Sequence, residues 1–278
     1  MSPVDPLYEV VIAKYGTRQS ARSEVYLNYP LYHQADGPIG MDYFFWVARN
    51  DQRTVVIDTG FSEHGGAVRH RTTLVPVPEL LERIGVDVSA SPDVVVTHAH
   101  YDHIGNLPHF PTSRVFLAET EYRFWSGRHA GRALFHHSVE DDELAHLRRV
   151  AEEGRLVLFD QRITIAPGIE VIAVGGHTPG QSVVRVTTDE GVVLLASDAV
   201  HYYEEYESDM LFSSVANLVE MYEGFDTIRE MVKSGSVDVL VAGHDPDTLR
   251  RFRPADGGLA DLVSTIGTAV DRSGTGVR

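Results

Sequence analysis

Val94-Val95-Val96-Thr97-His98-Ala99-His100-Tyr101-Asp102-His103 is the stretch from which the rest of the chain is read. A β-branched apolar run of this kind is a buried strand, and the polar residues after it mark its exit into a loop. That loop carries His98, His100, Asp102 and His103, a density of nitrogen and oxygen donors that suits a metal site. On an extended segment His98 and His100 point to one side, while Asp102 and His103 can turn toward a second point nearby. One loop can therefore serve two ions. Catalytic zinc takes about three protein donors plus a water, so four donors on one loop leave a shortfall that distant residues must fill.

Three segments supply them. His177 lies in Gly175-Gly176-His177-Thr178-Pro179-Gly180, where glycines and a Pro-Gly turn bend the chain sharply. Asp198 ends Leu194-Leu195-Ala196-Ser197-Asp198, and His244 follows Val239-Leu240-Val241-Ala242-Gly243. Each donor sits where an apolar strand gives way to a turn, which predicts one rim on which several loops converge. The chain has no cysteine, so any metal must be held by nitrogen and oxygen alone.

With 278 residues, 43% of them hydrophobic, the chain can bury a sizeable core, and no linker-like stretch divides it; residues 1–278 are read as one metallo-hydrolase domain. The first residues lack the basic and apolar regions of a signal peptide, and no run approaches the ~20 apolar residues of a membrane span, so a cytoplasmic location without membrane attachment is expected. The formal charge of −16 argues against nucleic-acid binding and disfavours polyanionic substrates. Part of that excess would be offset by roughly four positive charges if two divalent ions are bound.

Strands are expected at 8–15, 43–48, 54–57, 93–97, 115–118, 169–174, 183–187, 192–196 and 237–242, from short β-branched or aromatic runs. Helical periodicity marks 78–84, 119–125, 139–153 and 214–233; in the last, Leu218, Met221, Tyr222, Phe225, Ile228 and Val232 form one stripe. Two β-rich halves with a helical insert at about 119–154 suit two packed sheets flanked by helices. The Gly- and Ser-rich tail, 268–278, is expected to fray.

The His-x-His-x-Asp-His loop, Gly-His-Thr-Pro-Gly around His177, Ser-Asp around Asp198 and Gly-His around His244, in this order, resemble the metallo-β-lactamase superfamily. The resemblance implies an α+β fold, the αββα four-layer sandwich. It implies His98, His100 and His177 on one metal, Asp102, His103 and His244 on the other, and Asp198 bridging. Ile57-Asp58-Thr59-Gly60 matches the superfamily's early motif, whose aspartate supports the site from outside the ligand set. Within the superfamily the chain is most similar to the N-acyl-homoserine lactone lactonase group. Those enzymes often carry a tyrosine three residues beyond the bridging aspartate. Here that position is His201, with Tyr202 next, and Gln181 stands where many members have a second histidine.

The expected activity is opening of a lactone by a hydroxide that bridges two zinc ions, with iron, manganese or cobalt as alternative metals. Asp102 or His201 is the expected proton donor to the leaving oxygen, and Tyr202 is a candidate substrate contact. The partner is a small lactone or ester, and a homodimer is admitted. Glu204, Glu205, Glu207 and Asp209 read as a solvated acidic face. Tyr202, Tyr203, Phe212 and Phe225 read as pocket lining or core. The alternatives are a thioesterase of the glyoxalase II kind and a mononuclear iron oxygenase of the same superfamily.

Overall fold

In the computed structural model, which describes residues 6–268, the strands fall into two sheets. The first seven in chain order are β1 (Glu9–Ala21), β2 (Pro38–Arg49), β3 (Thr54–Ile57), β4 (Thr72–Thr73), β5 (Asp93–Val95), β6 (Val115–Ala118) and β7 (Leu156–Phe159). The next five are β8 (Arg162–Ala166), β9 (Ile169–Ala173), β10 (Ser182–Thr188), β11 (Gly191–Leu195) and β12 (Val239–Val241); β13 (Arg253–Pro254) and β14 (Val263–Ile266) return to the first sheet. The first sheet runs β13-β14-β1-β2-β3-β5-β6-β7, with β4 on β1; the second runs β12-β11-β10-β9-β8.

Alternation along the strands shows how the layers stack. Val10 and Ile12 of β1, Phe44 and Trp46 of β2, Val184 and Val186 of β10 and Val193 and Leu195 of β11 share one cluster between the sheets. The intervening residues Val11, Ala13, Phe45 and Val47 face outward, onto Leu80 and Leu81 and onto Leu144, Leu147 and Val150 of the flanking helices. On the far side Val183 and Leu194 meet Met221, Phe225 and Ile228. Strands buried on both faces need apolar residues at every position, which is why Val94-Val95-Val96 is continuous rather than alternating. The result is helix, sheet, sheet, helix: the α+β sandwich expected.

Helix Leu218–Lys233 is capped by Asn217, whose side chain accepts from Val219 and Glu220 N–H. It buries Met221, Gly224, Phe225 and Ile228, whereas Leu218, Tyr222 and Val232, expected on the same stripe, lie at its exposed margin. The 119–154 segment holds helices Glu119–Trp125, Ala133–His136 and Asp141–Glu152 between β6 and β7. β1 extends past Tyr15 to Ala21 because its polar half pairs with Pro38–Asp42 after a bulge between Lys14 and Gly16. Strands β7, β8 and β14 were not among those expected. The expected frayed tail lies outside the described residues except for Thr268. Among the described residues no helix is long and apolar enough to cross a membrane.

Topology places the chemistry. β3, β5 and β6 run parallel, as do β11 and β12, and β9 points the same way as β11 because each is antiparallel to β10. Their C-terminal ends therefore open onto one rim.

Candidate metal centre

β5 delivers His98 and His100 on extended backbone, and His100 then starts the helical turn Tyr101–Ile104 that carries Asp102 and His103. The loop after β9 brings in His177. Gly176 has φ 89°, and a Cβ there would lie 2.5 Å from Met221 Cα, so only glycine lets this loop settle on the helix behind it. β11 leads to Asp198 and β12 to His244, and the two exits touch: a Cβ on Gly243 would lie 2.4 Å from the Ser197 carbonyl oxygen.

All seven expected donors converge. His98, His100, His177 and Asp198 form one group, and Asp102, His103 and His244 a second, each with candidate ligand atoms within 4.8 Å of one another. Asp198 stands between them. Its Oδ2 lies 3.3 Å from His177 Nε2 and 3.7 Å from His98 Nε2, and its Oδ1 lies 3.2 Å from His103 Nε2 and 3.1 Å from His244 Nε2. Asp102 faces the second group, 3.8 Å from His103 Nε2 and 3.9 Å from His244 Nε2.

Three of the rings are aimed by a contact on their other side, the arrangement that orients metal-binding imidazoles. His177 Nδ1 donates to the Ser214 carbonyl at 2.7 Å and His244 Nδ1 to the Asp42 carbonyl at 2.8 Å. His103 Nδ1 meets Asp58 Oδ2 at 2.7 Å, and the same carboxylate accepts from Thr97 N and Oγ1, both at 2.8 Å. Asp58, expected as outer support, is fully buried in that role and sits at φ 61°.

The donor set fits divalent ions. His98 Nε2 and His103 Nε2, like Nε2 of the adjoining His201, are buried without a hydrogen-bond partner, a costly state for a polar atom unless a cation fills it. Burial holds His98 and His100 well below the usual imidazole range and takes His177 to about 3, so these rings are neutral and have lone pairs to give. Burial also opposes charge on Asp198 and on His103. For Asp198 the surrounding imidazoles outweigh it and hold the carboxyl well below its ordinary value; for His103, Asp198, Asp58 and Asp102 outweigh it and raise the ring.

Of the two remaining expected residues, one adjoins the donor set and one points away from it. His201 is fully buried beneath the donors, stacked on Phe212 with ring centroids 3.8 Å apart, and it does not line the cleft above them. Tyr202 points away, donating its hydroxyl to the Gly40 carbonyl at 3.1 Å, so the geometry places it in the packing rather than at a substrate. Of the expected acidic face, Glu205 is fully buried, accepting from the backbone of His201, Tyr202 and Phe212; Glu204 pairs with Arg22 and Tyr26, and Asp209 with Arg229. Among the aromatics, Phe212 lines the cleft, while Tyr203 and Phe225 belong to the core under the second sheet.

Glu121 has a part that its sequence context, an ordinary helix start, did not signal. Its Oε1 accepts from Ala99 N at 2.9 Å and Trp125 Nε1 at 2.7 Å, and its Oε2 from Gly180 N at 2.9 Å. One buried carboxylate thus ties the His98/His100 loop to the His177 loop.

The family model of the metallo-beta-lactamase superfamily matches residues 41–244. N-acyl homoserine lactonase AiiA of Bacillus thuringiensis subsp. kurstaki is 22% identical over 224 residues, covering 74% of this chain and 82% of the relative. N-acyl homoserine lactonase AttM of Rhizobium radiobacter is 27% identical over 180 residues, covering 63% and 66%. Among solved structures, a quorum-quenching N-acyl homoserine lactone lactonase superposes with a TM-score of 0.75 at 18% identity, covering 90% of this chain and 98% of the other. AidC, a dizinc quorum-quenching lactonase in complex with a product, gives 0.64 at 17% identity, with 96% and 97% covered.

Proposed function

The chain belongs to the metallo-beta-lactamase superfamily, and from that premise we propose that it is a hydrolase that opens a small lactone using two zinc ions. The observation that carries this reading is Asp198, whose two oxygens each lie within 3.3 Å of ring nitrogens from a different donor group. His98, His100 and His177 would hold one ion, Asp102, His103 and His244 the other, and Asp198 would join them. Ions so held supply a water whose pKa falls to ~7 and a Lewis acid for the carbonyl oxygen.

The remaining tasks fall to the chain. A cleft of ≈ 410 Å³ above the donors, walled by Met41, Tyr43, Tyr101, Phe212 and Ser138, binds and orients the ring. Asp102 faces that cleft and can carry a proton to the oxygen released when the ring opens. His201, closed off from the cleft, keeps Asp198 in place.

The test is a panel of lactones, thioesters and β-lactams, with oxygen uptake recorded, on one zinc-loaded preparation. Fastest turnover on a lactone with no oxygen consumed is expected. Faster thioester cleavage, or oxygen consumption, would overturn the reading.

A further inference from the structure

Three arginines, Arg18, Arg69 and Arg71, line the cleft over the donor set. Arg69 is occupied by the fold: its guanidinium bonds Glu140 at 2.5 Å and the His137 carbonyl at 2.7 Å, and it lies 4.0 Å above the Tyr101 ring. Arg18 and Arg71 are different. Among the described residues, Arg71 makes one side-chain hydrogen bond, Nε to Tyr101 Oη at 3.0 Å, and Arg18 Nε is buried with no partner. Neither has a carboxylate of the described residues within ion-pair distance, in a chain with 40 acidic residues.

Register brings the two together. β1 pairs with β4 as Gly16 with Thr73 and Thr17 with Thr72, and one step further sets Arg18 opposite Arg71. The cleft's own carboxylates act on them only across space: Asp102 favours the charge on Arg71 and Arg18 that on Glu24, but neither pair comes within ion-pair distance, Glu24 is bonded by Ser20 Oγ at 2.7 Å, and Asp102 belongs to the donor set.

We propose that Arg18 and Arg71 form an oxyanion subsite, so that the natural substrate carries a carboxylate or phosphate group beside the bond to be cut. Guanidinium forks bind such groups through paired, charge-assisted hydrogen bonds. An uncharged N-acyl homoserine lactone would leave the pair unanswered. The overall charge of −16 does not oppose this, because a local pair inside a cleft sets the field that a bound group meets. Which bond is cut rests on the lactonase reading; the subsite itself does not.

The test compares γ-butyrolactone with γ-carboxy-γ-butyrolactone, and with a lactone bearing a phosphate ester, on zinc-loaded protein. At least one anionic lactone is expected to exceed the neutral one in kcat/KM by about tenfold or more, and Arg18→Gln/Arg71→Gln to bring that ratio near unity. The better anion identifies the group. A ratio at or below unity in the unaltered protein, or one unchanged in the double variant, overturns the proposal. Titration with inorganic sulfate separates the two readings, because it needs no turnover. Saturable binding that weakens about tenfold or more in the double variant supports the subsite even if no lactone is opened, in which case the lactonase reading alone falls. Equal sulfate affinity in both proteins overturns the subsite.

Discussion

Nε2 of His201 lies 3.1 Å from Oδ2 of Asp198, while Nδ1 of the same ring lies 3.2 Å from Oε2 of Glu205. The imidazole spans two buried carboxylates. Burial opposes its charge, but Glu205 and Asp198 outweigh that and take it to about 9. Removing it takes the charged partner from Glu205, which keeps only its three backbone N–H donors, a loss worth on the order of 1–3 kcal/mol. His201→Ala is therefore expected to lower the unfolding free energy of the zinc-loaded protein by about that much in urea, and Glu205→Gln in the same background to recover part of it. A loss below about 1 kcal/mol would mean that the ring does not hold these carboxylates. The metal retained by His201→Ala is expected to fall as well, because Asp198 loses a neighbour 3.1 Å away.

Glu121 acts at a distance from any ion, by fixing the backbone of both histidine loops. Glutamine keeps its shape but turns one acceptor into a donor, which then faces an N–H of Ala99 or Gly180. Loss of an outer contact of this kind costs about 10–100-fold in metal affinity. Glu121→Gln should show that loss in competition with a chromophoric chelator, and an unchanged affinity would demote Glu121 to packing.

What the sequence revealed and what it hid follow from the range of the interactions. All seven donors were visible because each sits in a turn directly after an apolar strand, a local pattern. His201 and Glu205 looked like a proton donor and a solvated acid because their burial depends on Phe212 and on the turn at Tyr202, contacts made only in three dimensions. Glu121 was silent for the same reason: its partners lie 22 and 59 residues away. Strands β7 and β8 escaped notice although Leu156-Val157-Leu158-Phe159 is apolar throughout and Ile163 and Ile165 alternate, because runs this short between a helix and a turn fit either state. Arg18 and Arg71, 53 positions apart by their numbers, meet only through strand register.

Chelation tests the donor set as a whole. Without cations, buried ring nitrogens of His98 and His103 have no partner, so the fold should be weaker. An ion present at ~100 times its Kd contributes about 2.7 kcal/mol, which for a chain of this size is roughly 5–10 °C in Tm. Adding EDTA is expected to lower Tm by at least that, and zinc to restore it. Asp198→Asn should cut the zinc retained from two ions per chain to about one by elemental analysis, since an amide offers a single acceptor oxygen in place of two. Two ions retained by that variant would remove Asp198 from its joining position.

Glu143 sets a pH dependence away from the metal centre. Its Oε1 accepts from Ser62 Oγ at 2.7 Å, linking helix Asp141–Glu152 to the N-cap of helix Glu63–Val68, while its Oε2 is buried without a partner. Burial pushes this carboxyl up from 4.5 to about 7. Between those values the folded chain binds more protons than the unfolded one, so stability falls as pH rises. The contribution is fully present below about 4.5 and is lost as pH passes through about 7. At about 1.4 kcal/mol per pKa unit, the whole effect is at most on the order of 3 kcal/mol. Glutamine keeps the acceptor for Ser62 and cannot ionise, so Glu143→Gln should match the unaltered protein near pH 5 and exceed it in Tm at pH 8. A difference in Tm that stays constant across that range would show that Glu143 does not change its ionisation on folding.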